Sequence, residues 1–222
     1  MSGSKLPKAR KHFVLVHGAC RVNQKQVFEI PHLSDYLSPL MEFMTFLPVD
    51  EQVILVGHSL DGFSISKAME RFLEKISVAI FVTTIMPGPA LDAATVSNES
   101  SNGAIFQLDN RLTFDNELAN PPTTFSFGPK YLASYLHPLS PIQDWALDTT
   151  IVRPIYFYGL DDISKEIVLS SKKYGSVRRA YIVVPEDKNP PDQVEEISGS
   201  YHMPIMSKPH YLFTLLMRIA NK

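Results

Sequence analysis

The sequence predicts an α/β fold with a mostly parallel sheet and helices on both of its faces. Aliphatic runs typical of fully buried parallel strands lie at 12–17, 53–58, 76–83 and 180–184. Segments with apolar residues at helical spacing separate the first three of these runs. Because a chain of 222 residues suits one domain, we expect a single unit over 1–222.

Each element follows from a local pattern of apolar residues and breakers. Pro48 closes the first helix, and Pro87 and Pro89 stop the third strand. The predicted strands are 12–17, 53–58, 76–83, 180–184 and 194–197. The predicted helices are 33–44, 63–72 and 209–220.

Residues 88–150 have a different texture from the core. They include the polar tract 97–103, a breaker with two prolines at 120–122 and only short apolar pieces. An insertion between core strands commonly covers an active site, so we predict a cap over 88–150, the alternative being a surface excursion with no role. The run 155–158 could belong either to this cap or to the core.

The composition excludes several classes of function. The chain is 45% hydrophobic and 20% charged, and its net charge of -2 gives no basis for binding nucleic acid or an anionic membrane. No apolar run approaches the ~20 residues of a membrane helix, and residues 1–11 lack the apolar core of a secretory signal. The single cysteine, Cys20, fits a reducing compartment. We therefore expect a cytoplasmic protein without a membrane partner.

A serine lies in the turn between the second strand and the following helix. The order of buried strand, Gly57-His58-Ser59 turn and helix is that of the nucleophile elbow in an α/β-hydrolase. The pattern Gly-x-Ser-x-Gly has Asp61 at its fifth position, and the glycine follows at Gly62. We expect Asp61 to crowd the helix against neighbouring strands and to oppose an oxyanion through its charge.

Acyl transfer by such a serine needs a base and an orienting carboxylate, which in α/β-hydrolases follow in the order serine, acid, histidine. Ser59, Asp187 and His202 each follow a predicted strand in that order. His17 and His58 are interpreted as structural. The competing acids, none of which follows so clear a strand, are Asp144, Asp148, Asp161 and Asp162.

An oxyanion hole in this fold uses two backbone N–H groups. One comes from the residue after the nucleophile, Leu60, and the other from the turn after the first strand, where Ala19 is the candidate. The chemistry requires no cofactor and no metal ion.

Several stretches together resemble the plant methylesterase family of α/β-hydrolases, which is related to the hydroxynitrile lyases. The resemblance implies hydrolysis of methyl esters of small plant acids such as salicylate, jasmonate and indole-acetate, by Ser59, Asp187 and His202 with Ala19 and Leu60 as oxyanion donors. The lyase branch has a threonine and a lysine where this chain has Gly18 and Met203, so the esterase branch is favoured. The matching stretches are 12–20, 53–60, 74–83, 139–144, 174–183, 186–188 and 202–203.

The chain is shorter than the family pattern in two places. A strand–helix unit is missing between the first strand and the helix 33–44, which leaves the first strand as an exposed edge and makes a homodimer through that edge feasible. A helix is missing between Asp187 and His202. Because parallel neighbours need a crossover of about a dozen or more residues, we expect the strand after 185–193 to shift or to leave the sheet, and His202 to move with it.

Two hypotheses follow. The first is a serine carboxylesterase that binds a small-molecule ester and hydrolyses it. The second is a catalytically silent homologue, which binds small ligands or is a decayed gene product, because the deletions and Asp61 fall on the site itself.

Overall fold

A computed structural model describes residues 11–18, 29–101, 107–115, 122–184 and 194–222. Its strands are β1 (His12–Val16), β2 (Val53–Ser59), β3 (Ile76–Thr84), β4 (Arg111–Thr113), β5 (Thr124–Ser126), β6 (Ile155–Tyr156), β7 (Arg179–Val183) and β8 (Val194–Glu196). Its α-helices are α1 (Leu33–Phe46), α2 (Gly62–Arg71), α3 (Ala93–Ser101), α4 (Pro129–Tyr131), α5 (Ile142–Ile151), α6 (Leu160–Glu166), α7 (Pro204–Ser207) and α8 (Pro209–Ala220).

The main sheet has five strands in the order β1-β2-β3-β7-β8, and every neighbouring pair is parallel. Successive residues of β2 point to opposite faces. Leu55 packs with the side chains of α1 and α2, whereas Ile54 and Val56 pack with α8. Because both faces carry a buried apolar layer, the strands are aliphatic along their length. The predicted α/β-hydrolase fold class is confirmed.

The closing helix has the predicted bounds, Pro209–Ala220. Leu212, Leu215 and Ile219 are buried against the sheet as expected. Tyr211 shares their helical spacing, but half of its surface is exposed.

A second, antiparallel sheet is built from β4, β5 and β6, which lie between β3 and β7 in the sequence. The run 155–158, which the sequence left open between cap and core, therefore contributes β6 to this small sheet. The cap boundaries of 88–150 stay a prediction, since β6 continues the inserted structure beyond residue 150.

The first strand lies at one end of the five-stranded sheet, as expected for an edge. Leu15, the fourth residue of this strand, is 70% exposed within the described structure. The missing strand–helix unit that the sequence predicts before residue 33 falls mostly on residues outside the described ranges. None of the described helices is long and apolar enough to cross a membrane.

The last strand, in contrast, departs from expectation. β8 joins the sheet beside β7, with Val194 opposite Tyr181 and the N–H of Ile197 donating to the carbonyl of Val183 at 2.9 Å. Since β7 ends only two residues beyond Tyr181, the chain must return only about 10 Å, and the link 185–193 is long enough for that distance without a helix. Of the two expected outcomes, a strand that leaves the sheet is therefore wrong, whereas a shift of the strand stays a prediction.

Candidate active site

Ser59 occupies a strained turn at the carboxyl end of β2. Its φ of 58° lies in the left-handed region, which a residue with a side chain rarely adopts. The carbonyl of Ser59 accepts hydrogen bonds from the Thr84 hydroxyl and from the N–H of Ile85, both at the end of β3. The helix α2 begins three residues later, at Gly62. This strand, turn and helix has the geometry of a nucleophile elbow.

Two glycines allow the backbone segments around the elbow to approach closely. A Cβ on Gly62 would lie 1.7 Å from the carbonyl oxygen of Ile85, and one on Gly18 would lie 2.6 Å from the Cβ of Ser59. Position 61 makes no such demand, because Asp61 has a φ of -74° that any residue adopts. The backbone at position 61 therefore does not require glycine, and crowding by the Asp61 side chain stays a prediction.

Asp61 is buried directly beneath the elbow, with 2% of its surface exposed. Burial raises the pKa of its carboxyl to about 7, and hydrogen bonds from the Ser64 and Tyr36 side chains offset part of that rise. The Ser64 hydroxyl donates to Asp61 Oδ1 at 2.6 Å. Near neutral pH the carboxyl is therefore only partly ionised, which weakens the electrostatic objection to Asp61 that the sequence raises.

The histidine after β8 reaches the serine. His202 Nε2 and Ser59 Oγ lie 3.1 Å apart, within the reach of a base and its nucleophile. The expected displacement of His202 therefore does not occur. Its backbone carbonyl accepts a hydrogen bond from His58 Nε2 at 2.8 Å and another from the Thr83 hydroxyl at 3.1 Å.

Of the other predicted site residues, the structure describes only Leu60. Leu60 follows the nucleophile, and among the described residues nothing accepts a hydrogen bond from its N–H. Asp187 and Ala19 lie outside the described residues, so their roles stay predictions.

Asp148, one of the competing acids, is bound elsewhere. It is completely buried at 2.7 Å from His137 Nε2, and the two side chains join α5 to the segment before it. Asp162 accepts the N–H of Leu33 at 2.7 Å, at the start of α1. Sequence reasoning gave His137 no partner, because a pairing across eleven residues of an irregular insertion has no local signature.

A small cleft, partly open to solvent, lies over the serine. Two of its lining side chains, Phe127 and Leu136, come from the insertion, so this segment forms part of the wall around Ser59. The lining residues are His17, Gly18, His58, Ser59, Phe127, Leu136, His202 and Met203. Across the described part of the chain, no three histidine, cysteine or acidic side chains are grouped to hold a metal ion.

Comparison with known proteins identifies relatives that share this fold. No family model matches the chain. Methyl jasmonate esterase 1 of Vitis vinifera is 41% identical over 260 aligned residues, which cover 97% of this chain and 99% of that protein. The chain belongs to the plant methylesterase family of α/β-hydrolases. Salicylic acid-binding protein 2 of Nicotiana tabacum is 33% identical, over 97% of this chain and 99% of its own length.

Solved structures of relatives agree with this membership. Tomato methylketone synthase I, in a complex with 2-tridecanone, has a TM-score of 0.92 and 49% identity, covering 96% of this chain and 99% of that one. A second structure of that protein holds beta-ketoheptanoate. Polyneuridine aldehyde esterase matches with a TM-score of 0.80 and 30% identity, covering 95% of this chain and 99% of its own.

The alignment with the Vitis relative spans 260 residues, whereas this chain has 222. Gaps in the alignment therefore fall within this chain. Such gaps agree with a chain shorter than the family pattern.

Proposed function

We propose that the protein is a serine carboxylesterase that hydrolyses methyl esters of small plant acids. The observation that carries this proposal is the 3.1 Å contact between Ser59 Oγ and His202 Nε2 on a strained elbow. Relatives named for methyl jasmonate hydrolysis and salicylate binding support the substrate class.

The reaction proceeds in two halves. Ser59 Oγ gives its proton to His202 Nε2 and attacks the ester carbonyl, while the N–H groups of Leu60 and Ala19 stabilise the oxyanion. The tetrahedral intermediate collapses, and methanol leaves with the proton from His202. Water then gives a proton to His202, attacks the acyl-enzyme and releases the free acid and the Ser59 hydroxyl. Asp187 orients the imidazole and stabilises its charged form.

The walls of the cleft suit an apolar acyl group. Phe127, Leu136 and Met203 supply apolar surface, and none of the described lysines or arginines lines the cleft. A neutral ester therefore enters without leaving a cation unpaired, which favours the methyl ester over the free acid as ligand. Jasmonate, salicylate and indole-acetate methyl esters are the substrates to compare.

A second candidate function is ligand binding without ester hydrolysis. The 49% identical tomato structures hold a β-keto acid and a methyl ketone. If this chain is catalytically silent, it would still bind such compounds, because the apolar lining of its cleft does not depend on whether Ser59 reacts.

Hydrolysis of the three methyl esters by the wild type and by Ser59→Ala tests the first proposal. We expect methanol release by the wild type and a fall of at least about a thousandfold in Ser59→Ala. Cooperative unfolding of both proteins controls for folding. Wild-type protein that folds and binds 2-tridecanone in calorimetry but releases no methanol contradicts the esterase and supports the second candidate.

We also propose that two copies pair through the exposed edge of β1 and that the protein acts in the cytoplasm. The edge position of β1 and the exposure of Leu15 support the pairing. Sedimentation of the wild type against Leu15→Lys tests it: the wild type should be dimeric and the variant monomeric. A monomeric wild type contradicts the pairing.

A further inference from the structure

We propose that His58 and Thr83 are positioning residues, which hold the backbone of His202 so that its imidazole faces Ser59. This inference rests on the proposed function, in which His202 is the base. It adds two residues for which the family resemblance gave no role, and it assigns His58 a purpose beyond filling the core.

The carbonyl oxygen of His202 is held on both of its acceptor sites. His58 Nε2 lies 2.8 Å from it, and the Thr83 hydroxyl lies 3.1 Å from it. A carbonyl only accepts hydrogen bonds, so His58 must carry its proton on Nε2. Both donors are buried, each with 2% of its surface exposed. In such a site these bonds compete little with water, and losing one leaves a buried polar group unsatisfied.

The backbone at Thr83 is shaped for this contact. His58 pairs with Val82 and Ser59 pairs with Thr84, so Thr83 is an extra residue in β3 without a partner in β2. Its φ of 41° is left-handed, an outlier for a β-branched residue. Bulges are rare in parallel strands, and near active sites they redirect a side chain. Here the bulge directs the Thr83 hydroxyl to the carbonyl of His202.

The two donors fix His202 to the part of the sheet that carries the nucleophile. His58 immediately precedes Ser59 on β2, and Thr83 lies beside both at the end of β3. The position of the imidazole relative to Ser59 is thus set by the hydrogen bonds from His58 and Thr83. The strand β8, which pairs over three residues only, contributes less. A segment held in this way keeps its place even though the link 185–193 is short. This is how the structure brings His202 to 3.1 Å from Ser59.

Positioning of this kind should affect turnover more than substrate binding. His58 lines the cleft whereas Thr83 is not among its lining residues, so the effect on turnover is separated from the effect on binding in Thr83 variants. A shift of ~1 Å in the base can cost about a hundredfold in rate. Loss of one of two bonds should cost less than that. We expect kcat to fall about tenfold in Thr83→Val, with KM changed by less than about twofold.

The experiment compares two matched pairs of variants. Thr83→Val keeps the shape and β-branching but removes the hydroxyl, whereas Thr83→Ser keeps the hydroxyl. His58→Leu removes the donor, whereas His58→Gln keeps an N–H group. We expect Thr83→Ser and His58→Gln to recover most of the kcat that Thr83→Val and His58→Leu lose. Wild-type kcat in both donor-free variants overturns the proposal, as does an equal loss within each pair.

A second readout does not depend on turnover. The ring resonances and titration of His202, followed by NMR, should move in Thr83→Val and stay near wild type in Thr83→Ser. Unchanged resonances in Thr83→Val overturn the positioning role. If the wild type hydrolyses no ester, the proposed function fails and this readout still decides the placement of His202. If Thr83→Val does not fold, the His58 pair gives the same test.

Discussion

Ser59 and His202 meet in one cleft but are held by very different parts of the molecule. Ser59 ends a strand of seven residues that is paired on both sides and buried along six of them. His202 follows a strand of three residues at the end of the sheet, and a buried network from β2 and β3 holds its backbone. The nucleophile is therefore placed by its own strand, and the base is placed by its neighbours' side chains.

This difference teaches where the site is sensitive to sequence change. His202 lies beside Ser59 although the link 185–193 is short, and contacts from other strands hold its backbone. Changes at His58 and Thr83 should matter more than their distance in sequence from His202 suggests.

The largest effect on activity should come from Asp187, the proposed acid partner of His202. In the proposed triad Asp187 orients His202 and stabilises its imidazolium, so we expect Asp187→Asn to lower kcat for methyl ester hydrolysis by about 10⁴-fold. The matched control is Asp144→Asn, since Asp144 lies in the first turn of α5. Retention of activity within tenfold in Asp187→Asn, or an equal loss in Asp144→Asn, would show that the wrong acid is assigned.

The buried pair in the insertion should be the next most costly to break. Asp148→Ala removes the carboxylate that lies 2.7 Å from the buried His137 Nε2, and we expect the free energy of unfolding to fall by about 3 to 5 kcal/mol in urea titration. The double variant His137→Phe, Asp148→Leu should recover most of this loss. A loss below about 1 kcal/mol in Asp148→Ala would mean that the pair does not stabilise the insertion.

The raised pKa of Asp61 predicts a pH-dependent stability. The folded state holds the proton of Asp61 more tightly than the unfolded chain, in which the carboxyl has a pKa of 3.8. The stability that this proton contributes is therefore complete below about pH 4 and is lost as the pH rises through about 7. Relative to Asp61→Asn, the free energy of unfolding of the wild type should fall by up to about 4 kcal/mol between pH 4 and pH 8. A difference that stays constant across this range would contradict the burial effect.

The elbow glycine should have a smaller effect, of about 3 kcal/mol. Gly62→Ala forces a Cβ towards the carbonyl of Ile85, so either α2 or the end of β3 must move. Asp61→Gly is the comparison, and we expect it to cost about 1 kcal/mol through chain entropy and the lost Ser64 bond, with no relief of crowding. Thermal unfolding of both variants checks the order, and a greater stability of Asp61→Gly than of wild type would support crowding by Asp61.

The sequence predicted the parts of the fold that local patterns determine. The aliphatic runs gave the strands, the apolar spacing gave α8 with its bounds, and the strand–turn–helix order gave Ser59 on the elbow. Each of these depends on residues close together in the chain.

The rest depends on contacts between distant residues. The steric demand at Gly62 comes from Ile85, and the anchoring of His202 comes from a bulge at Thr83 that the uninterrupted run 76–83 does not reveal. The partner of His137 lies across an irregular segment. These contacts depend on the register between strands or on the path of the insertion, neither of which a single sequence specifies.

The rate at which a fluorophosphonate labels Ser59 tests most directly whether His202 acts on it. We predict rapid labelling of the folded wild type at Ser59 and labelling at least about a hundredfold slower in His202→Ala, because a general base contributes 10² to 10⁴ in rate. Equal labelling rates in the two proteins, or no labelling of the folded wild type, would contradict the account.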